Sequence, residues 1–433
     1  MFEGKALTLV HFTTELSGGA GAFVRNLHVA MQGMGVPSLV LTRDRSELEG
    51  VNTIKPISRI KASFRSHGLN LVGQLGLLNN SYAMFGIEAC PVSAKDILLA
   101  LKDVRPSAFI FYWISYFVDF KTILALRQSF PGVPIVLTCT DEALLTGGCH
   151  YSHGCDGYSQ SCRQCPATSI SGLQHRISRR FVQRRTLIEV LNPIVIYPTS
   201  NIQDMGKRSS VMKAARSWVI PLGAVSRVEQ SQVWAQRMLS LSRRRSRKLT
   251  LLVRSSYEFR KGCDLFVAGL KTVSAREADL SARLKVISIG DPMLERAGID
   301  RFVEHKARGY VSRDELVAIY KEIDVFLVTS REDGGPLMTN ECVAMGIYVI
   351  STPIGVARDL ILSEREGCIT RDISSDAISQ ALLSCLRRFE AHGLLAVEGA
   401  GEEERRVSLT FEGYIKSMAQ LLNNYRAKSS STP

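Results

Sequence analysis

The chain alternates short apolar runs with stretches whose apolar residues recur every three or four positions. Ala6–Phe12 reads as a buried strand, and the turn Ser17-Gly18-Gly19-Ala20-Gly21 follows it. Phe23, Leu27, Ala30 and Met31 then share one face of a helix. Ser38–Thr42 is a second strand. Ser93 and Asp96 mark the start of a helix over Ile97–Val104, which Pro106 ends. Strand Ala108–Trp113, helix Leu124–Phe130, strand Val133–Thr138 and strand Val195–Pro198 continue the series.

The pattern resumes after Ile220-Pro221-Leu222-Gly223, which reads as a connector. Strand Leu249–Arg254, helix Cys263–Val273 and strand Leu284–Gly290 lead to helix Arg313–Lys321. Ser312 and Glu315 open that helix as a capping box. Strand Asp324–Ser330, helix Leu337–Met345 and strand Ile347–Thr352 follow. Alternation of this kind predicts an α/β fold: two Rossmann-like domains with parallel sheets, facing a cleft. Ligands of such sheets bind at the carboxyl ends of the strands. The expected division is an N-terminal, acceptor-side domain over 1–222 with a Cys-rich insertion at 147–166, and a C-terminal domain over 223–395. Residues 396–433 are expected to form a helix packed back on the first domain, with a disordered tail from Lys428.

The length of 433 residues suits two such domains rather than one core. Lys and Arg number 54 against 41 Asp and Glu, a net charge of +13, which favours anionic partners without choosing among them. No secretory signal or run of about 20 apolar residues is readable, so the expected place is the cytoplasm. Nucleic acid is not an expected partner, because no basic motif interleaved with aromatics and no helix-turn-helix signature occurs.

Two stretches carry candidate chemistry. Arg254 closes a predicted strand, and Lys261-Gly262 stands where the next helix opens. Two cations there suit a diphosphate, and glycine at 262 lets backbone approach closely. Ser330–Gly346 also lies between a strand and a helix. Asp333 and Glu341 flank the backbone amides of Gly334-Gly335, so carboxylates for hydroxyl groups stand beside donors for a phosphate.

These stretches, in this order, carry a resemblance. Residues 324–356, from Asp-Val-Phe-Leu-Val-Thr-Ser through Glu-Cys-Val-Ala-Met-Gly to Pro-Ile-Gly-Val, resemble the donor-site signature of the retaining family 4 glycosyltransferases. Those enzymes have the B-type fold of two Rossmann domains. The resemblance implies that Arg254 and Lys261 hold the donor pyrophosphate, and that Gly18 and Gly19 line the phosphates. It implies that Asp333 faces the donor sugar with Glu332 as a substitute, and that Glu341 binds the ribose. Asp333 departs from the glutamate usual at its position.

Leu137–Tyr151 is similar to a subgroup of the same family. That subgroup reads His-Asp-Met-Trp where this chain has Thr140-Asp141-Glu142-Ala143, and both continue Thr-Gly-Gly-Cys-His-Tyr. The family's histidine contacts the donor sugar. Thr140 stands in its place and cannot carry charge, while Asp141 is an anchor, a base or a turn cap. The implied activity is hexosyl transfer from a nucleoside-diphosphate sugar to a glycan or lipid-linked saccharide in surface polysaccharide biosynthesis. No catalytic metal is expected. Thr140 also motivates a second reading, a weakly active or inactive scaffold subunit of an assembly complex.

Cys149, Cys155, Cys162 and Cys165 follow within a Gly/Ser-rich stretch, and Cys162-Arg163-Gln164-Cys165 has the spacing of a metal knuckle. A structural zinc is expected, with free thiols or an iron–sulfur cluster as alternatives. Two basic stretches remain. In His175–Arg185, the residues Arg176, Arg179, Arg180 and Arg184 are assigned to one helical face; Arg243–Lys248 is the second. Both suit contact with the anionic inner face of a membrane, or simply a solvated surface.

Overall fold

Apolar runs of four to seven residues suit strands buried on both faces, as in parallel sheets covered by helices. The computed structural model describes residues 7–55, 77–82, 92–241, 248–335, 337–392 and 400–430. The described residues form two sheets, both wholly parallel. Met1–Pro221 with Ile415–Pro433 form one compact unit, and Leu222–Tyr414 the other. The last helix, Phe411–Ser430, begins in the second unit and ends in the first, so the segment expected as one piece from 396 is divided. Most of the basic stretch Arg243–Lys248, Pro336, 396–399 and the last three residues of the expected tail lie outside the described residues.

The first sheet comprises β1 (Leu7–Phe12), β2 (Ser38–Thr42), β3 (Val51–Thr53), β4 (Arg105–Phe111), β5 (Ile135–Thr138), β6 (Ile194–Tyr197) and β7 (Arg216–Val219). Their order is β3-β2-β1-β4-β5-β6-β7. Strand β4 begins earlier than its apolar run, at Arg105, and takes in Pro106. The register shifts between Thr8 and Leu9, which pair with Pro106 and Ala108, so Ser107 is left over as a bulge. That bulge is how a central strand accommodates a residue without an N–H. Val10, Phe12, Phe109, Phe111 and Leu137 fill the core on one side of this sheet.

The second sheet comprises β8 (Leu249–Ser255), β9 (Leu284–Gly290), β10 (Glu304–Ala307), β11 (Val325–Val328), β12 (Tyr348–Ser351) and β13 (Gly367–Ile369). Their order is β10-β9-β8-β11-β12-β13. Helix Arg313–Glu322 starts at the expected capping box: the Ser312 side chain accepts from the backbone of Glu315, and the Glu315 side chain accepts from that of Ser312. Separate apolar clusters cover the two faces, around Leu249, Leu251 and Val253 on one and Leu252, Phe326 and Val328 on the other. Among the described residues no helix is long and apolar enough to cross a membrane.

Strand order reverses between β1 and β4 in the first sheet and between β8 and β11 in the second. Connections from the two middle strands leave in opposite directions there, which opens a crevice at the carboxyl ends of the strands.

Candidate functional site

In the second unit, the loops that follow β8 and β11 meet at that crevice. Backbone contacts lock them together. The Arg331 N–H donates to the Arg260 carbonyl at 2.6 Å, and the Thr329 hydroxyl donates to the Lys261 carbonyl at 2.8 Å. Arg331 also stacks on Phe259 at 3.8 Å and forms a two-point ion pair with Asp264.

Gly262 makes this approach possible. It has φ +65°, and a Cβ there would stand 2.0 Å from the Thr329 carbonyl oxygen. Gly262→Ala is therefore expected to cost about 2 kcal/mol or more of second-unit stability, because both the left-handed backbone and the clash oppose a side chain. Urea unfolding checks it; an unchanged midpoint would contradict this packing.

The two loops bring the expected donor residues together in part. Lys261 donates its ammonium to Asp333, and Arg260 lies 3.5 Å from the same carboxylate oxygen. Burial pushes the Asp333 carboxyl up, but Lys261 and Arg260 outweigh it and hold the group below its ordinary value. Its other oxygen accepts from the Gly335 N–H at 3.4 Å. Asp333 is thus a holder of Lys261 and of the loop backbone. Arg254 is exposed at the end of β8, where the charge of Asp291 reaches it. Glu332 is half-buried beside Asp333, and Gly334 is buried.

Glu341 lies inside helix Leu337–Ala344, every turn of which is packed. Its carboxylate accepts from the Arg313 guanidinium and from the Tyr320 hydroxyl. Burial raises its pKa, and Arg313 offsets only part of that. Arg313 and Tyr320 were not among the residues singled out from sequence. They reach Glu341 from another helix, and no local motif signals such a pairing.

In the first unit, Gly18 (φ +67°) and Gly19 begin helix Gly18–Gly33 after β1. The Leu16 N–H above them donates to Asp44 at 2.7 Å. Thr14 ties this loop to the one after β4 by donating its hydroxyl to the Trp113 and Ser115 carbonyls. Thr140 and Asp141 follow β5. Asp141 accepts the Ala143 N–H at 2.8 Å through one oxygen, which makes it a turn cap, and pairs with His150 Nδ1 at 2.6 Å through the other. Both oxygens are thus engaged within the segment after β5, one in the turn cap and one with His150. His150 Nε2 faces the Ser115 hydroxyl at 3.3 Å. Its role was missed in the sequence, where it is only a letter of the Cys-rich loop.

Cys149, Cys155, Cys162 and Cys165 are free thiols of intermediate exposure. Gly157 donates its N–H to Cys155 Sγ at 3.4 Å. Among the described residues no group of three or more His, Cys, Asp or Glu side chains is placed to hold a metal ion. Spacing along the chain gathers the four thiols without fixing their directions, and the structural zinc remains a proposal from the spacing alone.

The assignment of Arg184 to an exposed basic face needs correction. In helix Ser171–Leu191 the buried stripe is Ile177, Phe181, Arg184, Ile188 and Leu191, a spacing of four, three, four, three. Arg184 is 1% exposed and donates to the carbonyls of Ala143 (3.1 Å), Leu144 (3.4 Å) and Thr146 (2.8 Å). Arg176 and Arg179 are exposed, and Arg180 is half-buried.

Residues 247–388 match the family model described as "Glycosyl transferases group 1". No curated protein matches the chain. Among solved structures, sucrose-phosphate synthase from Thermosynechococcus elongatus aligns over 98% of this chain and 100% of its own, with TM-score 0.64 and 17% identity. A glycosyltransferase from Rickettsia africae aligns over 97% and 98%, with TM-score 0.61 and 13% identity. HepE of Anabaena, solved with UDP and glucose, aligns over 97% and 100%, with TM-score 0.59 and 13% identity. At these identities the likeness speaks for the fold. Residues 247–388 thus match the group 1 glycosyl transferase model, within a chain whose two-sheet α/β fold is shared with solved glycosyltransferase structures.

Proposed function

We propose that the chain is a retaining glycosyltransferase. It moves a hexosyl group from a nucleoside-diphosphate sugar to a hydroxyl of a glycan or lipid-linked saccharide, in the making of a surface polysaccharide. The observation that carries this is the pairing of Lys261 with Asp333 across the loops that follow β8 and β11, with Arg254 exposed at the end of β8, within the residues that match the family model.

In the reaction the bond between the sugar's anomeric carbon and the diphosphate oxygen breaks. The acceptor oxygen bonds to that carbon and gives up its proton. Negative charge grows on the departing diphosphate, and preorganised cations stabilise it more than they stabilise the bound donor. Arg254 and Lys261 supply that charge, so no catalytic metal is required. The resemblance gives the sugar-facing place to Asp333, with Glu332 as its substitute, and Asp333 also holds Lys261. Gly18 and Gly19 offer the opening of a helix to the phosphates, and Thr140 offers a hydroxyl where the family has an imidazole. The exposed His175, Arg176 and Arg179 suit an anionic membrane face on which a lipid-linked acceptor lies.

A thermal-shift series with UDP, GDP, ADP and dTDP and their glucose conjugates tests the reading. UDP ligands come first because HepE was solved with UDP-glucose. A ligand at about a hundred times its Kd adds about 2.7 kcal/mol, which raises the midpoint of a domain of this size by about 5 °C or more. Absence of any shift across the series would refute the reading.

A further inference from the structure

We infer that Arg313 and Tyr320 are positioning residues for the donor nucleotide's ribose: together they hold Glu341 as an oriented acceptor for the ribose diol. The inference rests on the donor reading above and extends it to residues that do not themselves touch the ligand.

Arg313 is the first residue of helix Arg313–Glu322, and its guanidinium is shared between two carboxylates. Nε and one terminal nitrogen meet Glu229 at 2.8 and 3.0 Å, a side-on, two-point pair. The same terminal nitrogen reaches the Ala224 carbonyl at 3.2 Å, and the other one donates to Glu341. Glu229 is fixed in turn, because it accepts the Ser226 N–H at 2.8 Å and the Ser226 hydroxyl at 3.2 Å. A planar guanidinium held on one edge by Glu229 presents its remaining N–H groups in a fixed direction, which a lysine ammonium could not do.

Glu341 needs that hold. Its side chain is 5% exposed, and burial favours the protonated acid. Arg313 opposes protonation, and the Tyr320 hydroxyl, fully buried two turns further along the same helix, donates to the second oxygen. Each carboxylate oxygen accepts one bond from the protein and retains a lone pair. Two lone pairs on one rigid carboxylate match the two adjacent hydroxyls of a ribose, whereas a protonated acid would offer fewer acceptors and a free rotamer. The adjacent carboxylate, Glu229, has both oxygens committed to Arg313 and Ser226. Glu229 accepts four bonds in all and Glu341 only two, so Glu341 is the carboxylate of this network with acceptor capacity left on both oxygens for a diol.

The test is titration calorimetry on the full chain with UDP, GDP and ADP, each beside its 2′-deoxy counterpart. The parent is expected to bind one ribonucleotide at least tenfold better than its 2′-deoxy form. Arg313→Gln should weaken that ribonucleotide about tenfold while the 2′-deoxy form changes less than twofold, so that discrimination disappears. Tyr320→Phe, which keeps the packing, should lose part of it. Equal losses for both sugars would show that Arg313 acts only on the fold and would overturn the inference. Undiminished discrimination would do the same. If Arg313→Gln does not fold, Arg313→Lys and Tyr320→Phe carry the comparison, with the same outcomes decisive. A parent that binds none of the nucleotides would instead remove the donor reading itself.

Discussion

Replacing Lys261 with alanine is expected to cut nucleoside diphosphate release by about a hundredfold to a thousandfold, the usual cost of losing one preorganised charge partner of a transition state. Lys261 lies within the loop pair at the reversal of strand order, and the Thr329 hydroxyl bonds its own carbonyl. Its ammonium is already oriented by Asp333, so little reorganisation is needed when charge develops on the diphosphate. The loss should fall on kcat rather than on KM, because the leaving group gains charge only as the bond breaks. Two arms separate this from damage to the fold. Lys261→Ala leaves the buried Asp333 with Arg260 alone, so the double change Lys261→Ala with Asp333→Asn removes the stranded charge and should be more stable yet equally inactive. Arg254→Ala removes an exposed side chain and should slow release with no change in unfolding. Parent-like turnover in both single variants would eliminate the assignment.

The same pair sets a pH expectation. Asp333 is held below the ordinary carboxylate range, so its contribution to stability is present above that range and is lost as pH falls through its lower folded value. Activity lost near neutral pH must then arise elsewhere.

Much of this was legible in the sequence because it is local. Strands β1, β2, β8, β9 and β11 are apolar runs, and the capping box at Ser312 and Glu315 is a four-residue motif. The edge strands were not legible, for a physical reason. Strand β10 reads Glu-His-Lys-Ala and β7 reads Arg-Ser-Trp-Val, and an edge strand that buries little has no need of an apolar run. The end of β4 was misread because Pro106 signals a break, whereas the bulge at Ser107 absorbs it. At the site, Arg254, Lys261 and the stretch from Ser330 to Gly346 stand out through spacing. Their partners do not: Asp141 meets His150, and Glu341 meets Arg313, only once separate elements pack. For Asp333 the sequence identified the residue and missed its first duty, which is to hold Lys261.

Arg184 carries the largest expected effect on stability, and it shows how a charge can be read into the wrong face. Arg184→Leu should destabilise the first unit by about 3 kcal/mol or more, because it leaves buried carbonyls without their donor. The guanidinium lies 5.5 Å from the centre of the Phe120 ring, among apolar side chains, and bridges three carbonyls of the segment after β5. Leucine would restore the apolar contacts but leave those carbonyls without their donor, each a cost of about 1–3 kcal/mol when buried. Arg184→Lys should recover only part, since an ammonium on a flexible stem cannot span carbonyls of Ala143 and Thr146 in the plane that a guanidinium offers. Because that segment runs from Asp141 to His150, its amides should also exchange hydrogen faster in the Leu variant. Arg179→Ala, five residues earlier and exposed, should change stability by less than about 0.5 kcal/mol. Thermal unfolding with hydrogen exchange measures all three. If Arg184→Leu and Arg179→Ala were equally mild, both would belong to the solvated basic face, and the segment bearing Thr140 and Asp141 would owe its shape to something other than this buried cation.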